Sequence, residues 1–187
     1  MLEFIAARRS ASFLQTPAWA RVKSEWRGER IGFYDGDQLT GVGLILYRKL
    51  PKLPRYLAYL PEGPVLDWSR DDIDEHFDAL VAHVKKRQAF AVRVGPAVVH
   101  RMWGTKTIKT AIADDNVTSL TEVAPDAITP EGERVVSVLK RGGWITDNTG
   151  QGFAAGQPQF NFQLSLRHED GTQTVSYTHL RAHETSL

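Results

Sequence analysis

Apolar residues recur with a helical period most clearly between positions 73 and 84. This pattern predicts an amphipathic helix that buries one face. Its apolar positions are Ile73, Phe77, Leu80, Val81 and Val84. Ser69 and Asp72 precede them in the order of a capping box, so we expect the helix to be capped at Ser69. A second helix is predicted to begin at Pro130, after Thr129, and a short one over 105–113.

Strand-like runs fill much of the remaining chain. Residues 30–34 and 39–48 flank the turn sequence Asp-Gly-Asp at 35–37, which predicts a hairpin. Both faces of 39–48 are apolar, which favours a central strand. Further strands are predicted at 56–60, 89–96, 144–145 and 160–166. A hairpin followed by helical crossovers predicts one α/β sandwich around a mixed sheet, rather than a strictly alternating parallel fold.

The stretch QTPAWARVKSEW, residues 15–26, raises a separate question. If it is helical, Trp19, Val22, Lys23 and Trp26 share one face, which places an ammonium between two indoles. In one interpretation the lysine stem packs on the rings while its head reaches water. In the other, the stripe borders a pocket in which the ammonium meets an anion. The pattern alone leaves both open.

Composition excludes several classes of function. The chain of 187 residues is 42% apolar and 24% charged, as in an ordinary globular protein. A net charge of +1 gives no global reason to expect nucleic-acid binding, and the absence of cysteine excludes disulfides and thiolate chemistry. The N-terminus has its apolar stretch before its arginines, the reverse of a signal peptide, and no run is long enough to span a bilayer. We therefore expect a soluble cytoplasmic protein without a transmembrane segment.

Short motifs for cofactors and metals are missing or incomplete. Neither GxxxxGK[ST], GxGxxG nor GxSxG occurs, and the nearest match to an acyl-CoA pyrophosphate loop, residues 101–106, fails at its last position. His179 and His183 are four residues apart but lack the glutamate of HExxH, so we expect no metal site. The acids at 71–75 are explained by the positive end of a helix dipole.

The basic run RKLPKLPR, residues 48–55, has two interpretations. Its two prolines hold the segment extended, so that it presents four cations on one loop. The loop is either simply solvated, or it contacts phosphate in an RNA backbone or a diphosphate headgroup.

The last thirteen residues, 175–187, follow no pattern of the rest. VSYTHLRAHETSL has no periodic apolar face and looks like a translated cloning or adapter scar. We therefore predict one domain over 1–174, with the natural chain cut short near Thr174, and a non-native tail over 175–187.

Five segments in collinear order carry a resemblance to a known family. They are FLQTPAWARVKSEW, LILYRKLP, YLAYLPEGPVLDW, FAVRVGP and QPQFNFQLSL, and they span residues 13–166. This chain resembles the Fem family (FemA/FemB/FemX-like) of peptidoglycan bridge-forming aminoacyltransferases, nearest to its actinobacterial branch. The most specific motif is aromatic-x3-GPV-x-D at 59–67, combined with QxPxWAxVKxxW upstream.

The resemblance implies an activity. Family members have two acetyltransferase-like (GNAT-like) domains, and this chain corresponds to the first. They transfer an amino acid from aminoacyl-tRNA to the stem peptide of a UDP-muramyl peptide or lipid II, without a cofactor. The lysine assigned to the tetrahedral intermediate and most tRNA contacts belong to the second domain. We therefore expect no catalytic residue here, little activity from the fragment alone, and at most peripheral membrane contact.

The resemblance also implies a substrate-binding face. In the family the lysine of WAxVKxxW contacts precursor phosphate, and the following tryptophan lines the same cleft. The residues expected to bind substrate here are Lys23, Trp19, Trp26, Tyr59, Gly63 and Phe90. The chain departs from some relatives at Glu62, where they carry a basic residue, at 94–96, where they carry FDP, and at Phe90, where they carry tyrosine. Because of these departures, the resemblance does not identify the acceptor substrate.

Two other functions remain as alternatives. One is an acyl-CoA-dependent N-acetyltransferase, which has the same general fold. The other is a non-catalytic module whose sheet and basic loop bind an anionic partner.

Overall fold

The computed structural model describes residues 1–8, 11–146, 160–163 and 172. The chain divides into two compact units, Met1–Gln157 and Pro158–Leu187. All the helices and strands described below lie in the first unit. The predicted boundary at 174 and the tail at 175–187 stay predictions.

Five helices and seven strands form the first unit, within the part of the chain that the structure describes. The helices are α1 (Leu2–Ala6), α2 (Pro17–Val22), α3 (Ile73–Lys86), α4 (Thr105–Ile112) and α5 (Pro130–Arg141), with 3-10 turns at Phe13–Gln15 and Leu120–Glu122. The strands are β1 (Arg27–Asp35), β2 (Gln38–Lys49), β3 (Tyr56–Leu60), β4 (Val65–Leu66), β5 (Ala89–Val94), β6 (Arg101–Met102) and β7 (Ala127–Ile128).

The main sheet is mixed, as predicted. Its order is β1-β2-β3-β5, and β4 pairs with β2 as well. The pairs that β2 makes with β1, β3 and β4 are antiparallel, whereas β3 and β5 run parallel because α3 connects them as a crossover. The hairpin turn uses Gly36 at a φ of 57°, in the left-handed region that favours glycine. The mixed α/β fold class and the central position of β2 are therefore confirmed.

One face of the sheet packs against α3 and α5. The buried residues of α3 follow the predicted period, and α5 adds Val135 and Val138 to the same cluster. Ile45 and Leu60 extend from the sheet into this core. The helix at 73–84 was thus predicted correctly, because its apolar stripe has a sheet to pack against.

Glu29 of β1 links the sheet to the end of α3. Its carboxylate accepts hydrogen bonds from the Tyr47 hydroxyl (2.7 Å) and the Arg87 guanidinium (2.7 Å), and lies 3.2 Å from Nε2 of His83. Burial raises the pKa of Glu29, but these hydrogen bonds outweigh burial and lower it to about 2. Burial and the bond to Glu29 raise the pKa of Tyr47. The cluster therefore stabilises the fold only while Glu29 is ionised.

The opposite face of the sheet carries the N-terminal elements. Ala20 of α2 packs against β1 at Gly28, where a β-carbon would lie 3.0 Å from the Ala20 methyl. The first 3-10 turn brings Gln15 to the middle of β2. The contacts of Ala20 and Gln15 with the sheet therefore position α2 on it.

Gln15 fills a gap along one edge of β2. Strand β3 pairs with residues 46–49 of β2 and β4 pairs with residues 41–42, so the three residues between them lack a neighbouring strand on that side. The fully buried Gln15 amide donates to the Pro61 carbonyl (2.6 Å) and accepts from the Leu44 N–H (2.8 Å). A side chain at Gly63 would overlap this amide. One polar side chain thus replaces the missing ladder bonds.

Several predicted elements differ from the structure. The helix at 15–26 is only α2, because the chain turns after Val22 to enter β1. Ser69 is not a helix cap, since its hydroxyl donates to Asp67 and α3 begins after Asp72. The predicted strand at 144–145 is absent from the described part of the chain, and so is a strand at 160–163; residues 164–166 lie outside the described residues.

The Gln15 bridge predicts a large stability loss on truncation. In Gln15→Ala, the buried Leu44 N–H and Pro61 carbonyl lose their partner, and each such group costs roughly 1–3 kcal/mol. We expect the free energy of unfolding, measured by urea titration with tryptophan fluorescence, to fall by at least about 2 kcal/mol. Exposed Gln38→Ala is the control, with a change within about 0.5 kcal/mol. Equal losses in the two variants would contradict the bridge.

The Glu29 cluster predicts an acid-dependent stability difference. Because the pKa of Glu29 falls from its usual 4.5 to about 2 on folding, its contribution is complete above pH 4.5 and is lost as the pH falls through 2. Urea midpoints of wild type and Glu29→Gln should therefore differ most above pH 4.5 and converge by about pH 2. Glu25→Gln, in an exposed turn, is the matched control. A wild-type advantage that stays constant down to pH 2 would refute the assignment.

Candidate functional site

The candidate site begins where α2 ends. Pro17 at the first helical turn and the carbonyl of Thr16, which accepts from the Trp19 N–H, set the start of the helix. Lys23 is the C-terminal cap, and its N–H donates to the Trp19 carbonyl at 2.9 Å. The Lys23 carbonyl in turn accepts from the Trp26 N–H at 2.9 Å. This tight turn brings Trp26 back to the sheet at the start of β1.

Lys23 is half-buried beside one indole. Its ammonium lies 5.5 Å from the ring centroid of Trp19, and Phe13 meets that ring edge-on with centroids 5.6 Å apart. Val22, which the helical stripe placed among the apolar residues, is 64% exposed. The stripe is therefore not a core-facing one, and the lysine lies on a solvent-accessible surface lined by aromatic rings.

A second cation lies over the other indole. The guanidinium carbon of Arg48, at the end of β2, is 5.7 Å from the Trp26 ring centroid. Tyr59 of β3 contacts the same indole, with its ring centroid 6.2 Å from that of Trp26. These contacts differ from the expected stripe, since Trp26 contacts Arg48 and Tyr59 whereas Lys23 contacts Trp19.

This arrangement offers two cations to an anion. Each cation rests near an aromatic ring, which attracts it by about 0.5–1 kcal/mol at an exposed site and restricts its motion. An ammonium and a guanidinium provide donors for charge-assisted hydrogen bonds to phosphate or carboxylate oxygens. We name Lys23, Arg48 and their three rings, Trp19, Trp26 and Tyr59, the cation–indole cluster.

Two of the predicted site residues have other surroundings. Gly63 is buried against the Gln15 amide, and its carbonyl accepts from the Gly95 N–H at 3.3 Å. Phe90 is 55% exposed on β5, the strand at the edge of the sheet. Packing alone therefore accounts for the glycine at 63. The substrate-binding roles of both residues stay predictions.

The N-termini of α3 and α4 carry carboxylates, and α4 begins within the weak cofactor motif at 101–106. Asp126 accepts from the Gly104 N–H (2.6 Å) at the start of α4 and from the Thr107 hydroxyl (2.7 Å). Asp72 caps α3 and pairs with Arg70. Hydrogen bonds from Gly104 and Thr107 lower the pKa of Asp126, so its negative charge occupies the position that a pyrophosphate would need.

A concave surface lies elsewhere in the first unit, between α3 and α5. None of the predicted site residues lines it. Its lining consists of Asp74, Phe77, Asp78, Val138, Leu139, Arg141, Gly142 and Trp144. Phe77 and Trp144 meet edge-on there, with ring centroids 5.2 Å apart.

Sequence reasoning missed Arg48, a member of the cation–indole cluster, and Phe13, which contacts the Trp19 ring of the cluster. The sequence analysis treated Arg48 only as part of the basic run, although alternation along β2 places it on the same face of the strand as Leu46, two residues earlier. Phe13 precedes the predicted stripe and was left out of it. The alternation of β2 was the available signal for the arginine; the 3-10 turn that orients Phe13 has no comparable signal.

The described residues contain neither a metal-binding cluster nor a helix suited to crossing a membrane. Among the described residues, no three histidine, aspartate or glutamate side chains lie close enough to hold a metal ion. His179 and His183 lie outside the described residues. None of the described helices combines the length and the apolar character needed to cross a bilayer.

A family profile identifies the chain. The profile of the FemAB family matches residues 2–179, nearly the whole sequence. The chain belongs to the FemAB family. The predicted family is therefore confirmed, and the mixed α/β sheet fits the fold that the resemblance implied.

Curated relatives in the family match about half of the chain. The Lipid II:glycine glycyltransferase of Staphylococcus saprophyticus is 32% identical over 98 residues, and that of Staphylococcus epidermidis is 30% identical over 101 residues. Each match covers 51% of this chain and 24% of the relative, so the chain spans about a quarter of their length. The crystal structure of FemX is 29% identical, with a TM-score of 0.45, over 59% of this chain and 28% of that one. The actinobacterial assignment stays a prediction.

Proposed function

We propose that this FemAB chain is the precursor-binding part of an aminoacyltransferase that builds peptidoglycan interpeptide bridges. The acceptor is the stem peptide of a cell-wall precursor, and aminoacyl-tRNA is the donor. Relatives named Lipid II:glycine glycyltransferase support the reaction class and favour a lipid-linked acceptor. The donor, the cytoplasmic location and the peripheral membrane contact are parts of the same proposal.

The observation that carries the binding role is the cation–indole cluster. A precursor diphosphate presents two adjacent negative groups, and Lys23 and Arg48 each present a positive group beside an aromatic ring. Rings that hold the two cations reduce the entropy lost when an anion binds. The half-buried aromatic rings beside them suit the sugar and peptide of the precursor.

The reaction itself is aminolysis of an ester. The stem-peptide amine attacks the aminoacyl carbonyl, a tetrahedral oxyanion forms, and the tRNA hydroxyl leaves when the ester bond breaks. The oxyanion needs a donor or a cation within hydrogen-bond distance. We assign this role to the second domain that the resemblance implies, so we expect residues 1–187 to bind the acceptor and to have little activity alone.

Acetyl-CoA binding is the less favoured alternative. An acyl-CoA-dependent enzyme holds pyrophosphate at a helix N-terminus, where backbone N–H groups are free to donate. In this chain Asp126 already accepts at the start of α4, and Asp72, Asp74 and Glu75 surround the start of α3. Like charges at both positions disfavour a second anion.

Calorimetry with UDP-muramyl pentapeptide tests the proposal. Hydrogen bonds to charged groups contribute about 1.5–3 kcal/mol, so Lys23→Ala should weaken binding roughly ten- to hundredfold. Lys23→Arg should retain most of the affinity because it keeps the charge. Lys106→Ala, on exposed α4, is the control for removing a cation elsewhere and should leave the affinity unchanged.

Two outcomes would contradict this proposal. Equal affinities of wild type and Lys23→Ala, both shown to be folded by circular dichroism, would remove Lys23 from the site. Saturable binding of acetyl-CoA, together with no binding of the muramyl peptide, would favour the acetyltransferase instead.

A further inference from the structure

One end of the main sheet is strongly basic. Here β2 ends, β3 and β5 begin, and α3 reaches its C-terminus, while the Tyr56 N–H donates to the Gln88 carbonyl at 3.2 Å and joins the two connections. We name this surface the basic end. Its cations are Arg48, Lys49, Lys52 and Arg55 after β2, and Lys85, Lys86 and Arg87 at the end of α3.

Most of these charges are not neutralised. Arg87 is paired with Glu29, and Arg48 lies over Trp26. The other five are exposed, and within the described ranges no carboxylate forms an ion pair with them. Segments 48–55 and 85–93 contain neither aspartate nor glutamate. The basic end therefore keeps a concentrated positive potential although the whole chain has a net charge of only +1.

Two apolar side chains project from the same surface. Leu53 and Phe90 are each 55% exposed. The Leu50 N–H donates to the Arg55 carbonyl at 2.9 Å and closes the loop around Leu53, while Lys52 adopts a left-handed φ of 66°. Leu53 is thus held at the tip of a constrained loop, and ordering it on a partner costs little.

We propose that the basic end docks on the surface of an anionic lipid bilayer, with Leu53 and Phe90 inserted at the headgroup boundary. Apolar tips surrounded by lysine and arginine are the composition that binds anionic membrane surfaces. RNA is the other polyanion that such charge would attract; Phe90 offers one ring for stacking, but Leu53 at the tip of the basic loop offers no stacking surface to a base. The combination of leucine and unpaired lysines therefore fits lipid better.

Docking would also place the cation–indole cluster near the membrane. Arg48 belongs to both surfaces, since it contacts Trp26 and begins the basic loop. Under the proposed function, on which this one consequence rests, docking favours the lipid-linked acceptor over the nucleotide-linked one. The docking deepens the peripheral membrane contact of the proposed function by assigning it to named residues, and it is argued from the charges and apolar tips of the basic end.

Vesicle co-sedimentation of the full chain tests the docking. Vesicles of phosphatidylcholine are compared with vesicles of equimolar phosphatidylcholine and phosphatidylglycerol, both without any cell-wall precursor. Each lysine or arginine near such a surface contributes about fivefold in binding, so Lys52→Gln with Lys85→Gln should weaken binding to anionic vesicles roughly 25-fold. Leu53→Ser should weaken it about tenfold, and this loss should persist when salt screens the charges.

The matched control is Lys106→Gln with Lys109→Gln, which removes the same charge from α4. This helix follows the other end of β5, beyond Val94. The control variant should therefore change vesicle binding by less than about twofold. Circular dichroism checks the fold of every variant.

Three results would overturn the docking. They are equal binding to neutral and anionic vesicles, equal losses in the two double variants, and binding of a tRNA mixture through Lys52 and Lys85 without any vesicle binding. Because the vesicles contain no acceptor, a failure of Lys23→Ala to affect precursor binding leaves this test unaffected.

Discussion

The Gln15 amide joins the N-terminal segment to the main sheet, and the position of the cation–indole cluster depends on this connection. A central strand with an interrupted partner leaves backbone groups exposed to an apolar interior, and such groups are costly unless they are paired. Gln15 bonds both to β2 and to the segment that joins β3 to β4. The same residue ends the turn before α2. Its position on the sheet therefore fixes where Trp19 and Lys23 emerge.

The cation–indole cluster depends on that arrangement. Trp26 reaches Tyr59 and Arg48 because the chain turns back to the sheet immediately after Lys23. A longer α2 would carry Trp26 away from β1. The early end of the helix breaks the regular stripe, and it leaves Trp26 in contact with Arg48 and Tyr59 rather than with Lys23.

Sequence patterns predicted the elements that pack against a large neighbour. The α3 stripe and the β1–β2 hairpin were predicted because burial and turn geometry impose their periods locally. The length of α2 could not be predicted in this way. The helix ends at Lys23 because the chain must turn there to enter β1, and no local pattern signals that turn. Ser69 failed as a cap because its hydroxyl bonds to Asp67, a local competitor that the capping pattern ignores. For the candidate site, the residue types were predicted, but the pairing of Lys23 with Trp19 and of Arg48 with Trp26 required the fold.

The contact between Gln15 and Gly63 has a consequence for the evolution of the family. A β-carbon at 63 would occupy the space of the amide, and a shorter residue at 15 would vacate that space while leaving two backbone groups unpaired. A substitution at either position is therefore costly unless the other position changes as well. The two positions are 48 residues apart in the chain. We expect them to covary among homologues, so that glutamine at 15 occurs together with glycine at 63.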